Sequence, residues 1–381
     1  MTARAWRVDQ GDVRVPVCRP RLPPADALLP YLRRIDSSQW YSNWGPLVRE
    51  LEARLADKDG SGPGGHVVAV AGATAGLTAV LLSLNLAPDT LCMVPAWTFA
   101  ATAHAIVRAG LRPWLVDVDG EAGALSAAAA QSYLQRAPGP VGAVVTVAPF
   151  GMPVDVGGWE LFQAENHLPV VLDAAAGFDS VRPSAIPTVL SLHATKVLGA
   201  GEGGYVVWND PDGIEGVRRV ANFGFAGSRE AAVSGLNAKM SEYTAAVALA
   251  ALDSWASTRP QWERVARTYR AAVAGSAADL PPGYGLEWVS STALLRLPPG
   301  AIEKAEDALV AAGVGSRRWW GDGLGAHTAF LRHARTDLSV TETLGTTVLG
   351  LPCWTLLPEE EIQQAVQLVL SVLPEGRERD R

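Results

Sequence analysis

Lys196 is one of only four lysines, with Lys58, Lys239 and Lys304, in a chain whose 32 basic residues are otherwise all arginine. The bias matters chemically: a lysine amine can lose its proton and attack a carbonyl carbon, whereas a guanidinium stays protonated. Lys196 follows the apolar run that ends in Ser191-Leu-His-Ala-Thr and precedes the glycine-rich stretch Gly199-Ala-Gly-Glu-Gly-Gly204. A backbone of that composition can pass close to a bound molecule. A second reactive group is Asp173, which ends the apolar run Val170-Val-Leu. A carboxyl buried there needs a cation, such as a protonated ring nitrogen, to stay ionised. The plainer alternative is a helix N-cap over Ala174 and Ala175. Third, Ala71-Gly-Ala-Thr74-Ala75-Gly-Leu77 follows another apolar run and opens a helical pattern. Its small residues, its hydroxyl and the free N–H groups of a helix start suit an anion such as phosphate. An ordinary capped helix explains the segment equally well, and it is neither a dinucleotide fingerprint nor a Walker loop. Phe99 could offer a flat face to an aromatic ring, or sit in the core.

These groups need a frame that brings strand ends together. Short apolar runs at 67–70, 91–94, 114–117, 143–147, 170–172, 189–192 and 205–208 alternate with helical patterns, among them one opened by Pro46, 75–86 and 101–108. Continuous β-branched runs between helices predict an α/β fold whose sheet is covered on both faces, with ligands at the carboxyl ends of its strands. The alternation breaks after about Trp255, where Arg259-Pro260 is expected to interrupt a long helical stretch. A strand at 294–297, a helix at 303–312 and a last helix at 359–373 then suggest a smaller α+β domain. The expected division is a large domain over 1–255 and a small one over 256–381, with the N-terminal segment free to pack on the latter.

Composition narrows the function classes. With 381 residues, 48% hydrophobic and 19% charged, the chain has the make-up of a well-buried globular enzyme. A net charge of -7 and no basic run beyond short arginine pairs argue against a nucleic-acid partner. Three cysteines without CxxC spacing give no disulfide framework and no metal site, and point to a reducing cytoplasm. No run is long enough to span a membrane, residues 1–20 do not read as a secretory signal, and 375–381 read as a solvated tail.

Taken in order, the segments resemble the DegT/DnrJ/StrS sugar aminotransferases, a branch of the type I aminotransferase fold. The resemblance rests on Tyr41-Ser-Asn-Trp-Gly-Pro46 with Glu52, Ala71 to Leu77, Pro95 to Thr102, Val116-Asp-Val-Asp119, and Pro149-Phe-Gly151 with Asp155. It continues through Leu172-Asp-Ala-Ala175, Ser191 to Gly204, Gly235 to Glu242, Gly313 to Arg317 and Gly350-Leu-Pro352. It implies a large domain with a mostly parallel mixed sheet sandwiched by helices, plus a smaller C-terminal α+β domain. It also implies pyridoxal 5'-phosphate (PLP) as cofactor, held by Lys196 as a Schiff base, with Lys196 then moving protons during amino transfer.

By the same resemblance Asp173 pairs with the pyridine nitrogen, Thr74, Ala75 and Ser191 bind the phosphate, and Phe99 stacks on the ring. Asn237 reaches the phosphate of a neighbouring subunit's cofactor, which implies a homodimer with shared active sites. Lys239 holds a substrate or donor carboxylate, or is simply an exposed helix-start cation. Arg317 and Arg318 meet a nucleotide diphosphate, or form a solvated pair. His193 is expected as a hydrogen-bonding neighbour rather than the proton carrier. Two departures stand out: Ala73 replaces a usual glycine, and Ala176 replaces a polar residue that usually bonds the cofactor's phenolic oxygen. Three functions stay open: amino transfer from glutamate to a keto sugar on a nucleoside diphosphate, transfer to a cyclitol or other natural-product ketone, and a non-catalytic binding relative.

Overall fold

The short β-branched runs form the strands expected of them. In the computed structural model, which describes residues 13–59 and 66–373, they are β1 (Val67–Val70), β2 (Leu91–Pro95), β3 (Arg112–Val116), β4 (Val141–Val147), β5 (Val170–Asp173), β6 (Thr188–Ser191) and β7 (Gly204–Val207). The tail at 375–381 lies outside the described residues. Three short strands follow: β8 (Ala293–Arg296), β9 (Ala334–Arg335) and β10 (Val348–Leu351). The main sheet runs β1-β7-β6-β5-β4-β2-β3-β9; β7 is antiparallel to β1 and β6, and all other neighbours are parallel. Each strand divides its side chains between two cores, as a pleated sheet must. Val67 and Ala69 join one buried cluster, Val68 and Val70 the other; Val170 and Leu172 face one way and Val171 the other.

The helices are α1 (Ala25–Ser38), α2 (Pro46–Asp59), α3 (Ala73–Ser83), α4 (Ala100–Arg108), α5 (Ala127–Leu134), α6 (Val156–Asn166), α7 (Pro211–Ala221), α8 (Glu242–Val273), α9 (Ile302–Ala311), α10 (Ser339–Thr347) and α11 (Glu359–Leu370). On one face α3 packs against α4 and α7; on the other α8 packs against α1, α2 and α11. The expectation that Arg259-Pro260 breaks the chain is corrected. Pro260 lies inside α8, which runs 32 residues without interruption through the boundary expected at 255/256. A helical proline forfeits one hydrogen bond. Here the buried residues Trp262, Val265, Ala266 and Tyr269 anchor the helix just beyond it.

The C-terminal segments are tied to the large sheet at its edge. β9 adds to β3 as a parallel neighbour. Asp117, just past β3 and 5% exposed, accepts from the backbone N–H groups of Val340 and Thr341 at 2.8 Å each and from the Thr341 hydroxyl at 2.7 Å. It thereby caps the start of α10. The antiparallel pair β8 and β10 packs with α9 and α11. The N-terminal segment lies on this part: Val15 N–H donates to the Gly313 carbonyl at 3.0 Å, and Cys353 N–H to that of Val17 at 3.0 Å.

Candidate active site

Lys196 sits in the turn between β6 and β7. Backbone bonds close that turn: Leu192 N–H to Gly203 O at 2.9 Å, Ala194 N–H to Gly201 O at 2.8 Å, Ala200 N–H to Leu192 O at 2.7 Å and Lys196 N–H to His193 O at 2.9 Å. The left-handed Gly201 (φ 92) and Gly203 (φ 144) let the chain double back so tightly. The Lys196 amine makes no hydrogen bond or direct ion pair among the described residues. Burial pushes its pKa down, and the nearby Asp173 charge only partly offsets this. Desolvation thus favours the neutral amine, the form that attacks a carbonyl.

Asp173 lies at the C-terminal end of β5, next to β6 in the sheet and 6% exposed. Its Oδ2 accepts from the Thr102 hydroxyl at 2.7 Å and its Oδ1 from the Ala175 N–H at 3.1 Å. The capping contact considered from the sequence is therefore made, but to a turn rather than a helix. The two donors leave lone pairs free on the carboxylate. Burial raises the Asp173 pKa; the Thr102 hydroxyl, the Ala175 N–H and the Lys196 charge pull it the other way and lose. A buried carboxyl in that state gains from a cation brought against it.

The phosphate-like segment forms the start of α3. Its N-cap, Gly72, has no side chain to cap with, so the first-turn N–H groups of Ala73, Thr74 and Ala75 are left for a ligand. Gly204, paired with both Val70 and Ser191, lets this helix end settle on the sheet. A Cβ at Gly204 would lie 2.7 Å from the Ala73 nitrogen and 2.7 Å from the Leu190 carbonyl oxygen. Ser191, 8% exposed, brings its hydroxyl to the same strand ends, where it accepts from His193 N–H at 3.1 Å. Ala73 has ordinary helical backbone, so the missing glycine costs nothing there.

The remaining expected residues divide. Phe99, at the N-cap of α4, is 61% exposed, unusual for a ring that follows a buried strand. Lys239 lies beside β1, bridged to Val70, with its amine 4.2 Å from the Phe223 ring centre and its pKa pushed down by burial. It is not a free helix-start cation. Asn237 is exposed, bridged to Asn222 through the backbone. His193 contacts the Thr195 hydroxyl at 2.8 Å and Glu202 at 3.7 Å, a neighbour's role. Arg317 stacks on Trp319 at 4.7 Å. Arg318 is not a solvated cation: its guanidinium pairs with Glu306 at 2.5 Å and with Glu303 at 3.3 Å, both on α9. Ala176 leaves no polar side chain at its place, and Gly151 passes so close that a Cβ there would lie 2.4 Å from the Ala176 carbonyl oxygen.

Two functional positions were missed from the sequence. Thr102 was seen only as part of a motif, yet it bonds Asp173 and lies 3.2 Å from the Thr98 hydroxyl. The Thr98-Thr102 spacing around a helix start was the available signal. Gly204 ends the glycine-rich stretch, and nothing in its type reveals which helix it admits.

The model of the DegT/DnrJ/EryC1/StrS aminotransferase family matches residues 25–370. The chain belongs to this family. It is therefore an aminotransferase of a PLP-dependent family. It is 27% identical to Protein Rv3402c of Mycobacterium tuberculosis (strain ATCC 25618 / H37Rv), over 93% of this chain and 89% of that one. It is 27% identical to a UDP-N-acetyl-3-dehydro-alpha-D-glucosamine 3-aminotransferase of Acidithiobacillus ferrooxidans, over 92% and 95%, respectively. A dTDP-4-amino-4,6-dideoxy-D-glucose transaminase of Shigella dysenteriae is 30% identical over 62% of this chain and 64% of its own. Among solved structures, DesI in the presence of its TDP-sugar product superimposes with a TM-score of 0.83 at 29% identity, covering 94% of this chain and 92% of that one. CalS13 of Micromonospora echinospora has the same fold, with a TM-score of 0.81 at 23% identity over 94% and 99%.

Proposed function

We propose that this family member transfers the amino group of an amino acid, with glutamate as donor, to a keto sugar carried on a nucleoside diphosphate, and that it works as a homodimer with shared sites. The observation that carries the proposal is the meeting of three groups at the carboxyl edge of the sheet. These are the amine of Lys196, without a hydrogen bond among the described residues, the buried carboxyl of Asp173 and the uncapped start of α3. The sugar-nucleotide acceptor is supported by the names of the Acidithiobacillus and Shigella relatives and by the TDP-sugar product with DesI.

The residues fit PLP. The first-turn N–H groups of α3, seated on the sheet by the bare backbone of Gly204, and the Ser191 hydroxyl suit its phosphate. Phe99 offers a face for its ring. When bound, the cofactor supplies an electron sink for the carbanion formed at the donor's α-carbon. Asp173 would keep a proton on the ring nitrogen, and Thr102 fixes the carboxylate that would do so. Lys196, its amine poised by burial, would hold the cofactor through its aldehyde carbon, with loss of water, and would serve as the base that moves the proton at the donor's α-carbon. Asn237, exposed on its strip of backbone, would reach a partner subunit's phosphate site. Lys239 receives a carboxylate of donor or acceptor.

A second acceptor class, a cyclitol or other natural-product ketone, is favoured by one observation. Arg318 is already paired with carboxylates of α9, which leaves fewer free cations to meet a diphosphate. The test begins with the purified protein. It should be yellow, and borohydride should bleach it and attach the cofactor to the peptide bearing Lys196. Glutamate should convert the colour to that of the amine form, and 2-oxoglutarate release should then depend on a nucleotide ketosugar. A colourless protein that takes up no added PLP refutes the proposal; turnover with only non-nucleotide ketones selects the second class.

A further inference from the structure

Two buried hydroxyls stand in line with the carboxyl of Asp173. The Thr102 hydroxyl donates to Asp173 Oδ2 at 2.7 Å, and the Thr98 hydroxyl lies 3.2 Å from that of Thr102. Thr98 is 2% exposed and Thr102 1%, so bulk water serves neither. A buried hydroxyl without a partner is costly, and valine fills the same volume without that cost. Two threonines four residues apart, one just before α4 and one in its first turn, therefore do more than fill space.

The segment that carries Thr98 is pinned. Ala96 N–H donates to the Val116 carbonyl of β3 at 2.8 Å, and the Ala96 carbonyl accepts from Leu324 N–H at 2.7 Å. Thr102 N–H donates to the Phe99 carbonyl at 3.2 Å, which closes the first turn of α4 over the same residues.

Counting hydrogens gives the direction of the chain. A hydroxyl has one hydrogen to give and can also accept, whereas an ionised carboxylate only accepts. Once Thr102 gives its hydrogen to ionised Asp173, its oxygen can only accept from Thr98. The order is then Thr98 to Thr102 to Asp173, with one hydrogen in each of the two gaps between oxygens. With the carboxyl protonated on Oδ2, three hydrogens compete for the same two gaps and one is left over. Hydrogen bonds in series polarise one another, and those ending on a charged acceptor are the stronger ones. The charged group that acts on Asp173, Lys196, comes from a different element, the turn between β6 and β7.

We infer that Thr98 is a positioning residue for Asp173. Its hydroxyl donates to Thr102, turns the Thr102 hydrogen onto the carboxylate and so favours the ionised form. Thr98 acts through Thr102. The effect belongs to the protein before any cofactor binds, so it does not rest on the function proposed above, which is where an ionised Asp173 would be used.

The Asp173 carboxyl can be followed by carbon NMR of PLP-free protein labelled in its aspartates, with Asp173→Asn to assign the signal. Thr98→Val, which keeps the shape and removes the hydroxyl, should raise the Asp173 pKa by about 0.2–0.6 unit, the share of the Thr102 bond owed to polarisation. Thr98→Ser, which keeps the hydroxyl, should titrate like the parent. In a Thr102→Val background, Thr98→Val should change nothing further, because the link is already cut. In PLP-loaded enzyme the acid limb of kcat/KM should move to higher pH with Thr98→Val as well. Three results overturn the inference: an Asp173 pKa unmoved by Thr98→Val, a shift as large with Thr98→Ser, or a shift that persists in the Thr102→Val background. A protein that takes up no PLP would refute the proposed function and leave the NMR titration to decide this inference by itself.

Discussion

Gly204→Ala tests the phosphate cradle with one added carbon. The new Cβ would meet backbone on both sides, the Ala73 nitrogen and the Leu190 oxygen at 2.7 Å and the Ala73 Cα at 3.0 Å. It falls about 0.8 Å short of a comfortable contact near 3.5 Å. No flexible side chain can yield. Leu190 is held in the β6–β7 ladder, so the start of α3 must move instead. Overpacking of this kind costs about 1–3 kcal/mol. With an unfolding entropy of about 2.1 cal/mol/K per residue, that corresponds to a fall of about 1–4 °C in melting temperature. The effect on the cofactor should be larger. Losing one charge-assisted N–H bond to phosphate costs about 1.5–3 kcal/mol, or about ten- to a hundredfold in affinity. Titrating cofactor-free protein with PLP by absorbance measures this directly. Gly216→Ala on α7 is the control, since its Cβ would meet only Ser83 Cβ at 3.5 Å and should leave affinity unchanged. A Gly204→Ala protein that melts lower yet binds PLP within twofold of the parent would refute the cradle.

Lys196→Ala should lose transamination by about 10²–10⁴-fold or more and leave no cofactor attached after borohydride, as peptide mapping would show. Lys196→Arg should do no better, because a guanidinium cannot deprotonate. Thr102→Val removes a bond that lowers the Asp173 pKa, so that pKa should rise further. Because Asp173 must be ionised to work, the acid limb of kcat/KM should move to higher pH, and an unmoved limb would deny Thr102 its positioning role. Glu242, 1% exposed, accepts from the N–H groups of Leu47 at 2.8 Å and Val48 at 3.0 Å, at the start of α2. Glu242→Ala orphans both donors and should cost about 2–5 kcal/mol in denaturant unfolding, with catalytic constants of the surviving folded enzyme little changed.

What the chain announces by itself is local. β-Branched runs of four to seven residues can hardly be anything but buried strands, so β1 to β7 were legible within a residue or two at most ends. Lys196 and Asp173 were legible because a rare amine and an acid after an apolar run are unusual in their immediate surroundings. The helix α1, with Pro30 inside it, and the two-residue β9 were not legible, since each depends on partners far along the chain. Pro260 shows the same limit: its type signals a break, but burial of the residues after it keeps α8 whole.

Contacts between distant segments were decided only by the fold. Arg317 and Arg318 look alike in sequence, yet α9 holds one and Trp319 lies against the other. Thr102 gained its partner because α4 starts beside the end of β5, and Gly204 its purpose because α3 descends on it. Hydrophobic periodicity reads out which face of a segment is buried, a property of neighbouring residues. Which hydroxyl meets which carboxyl, and whether a cation is free or paired, depends on distances that exist only after the chain has closed on itself.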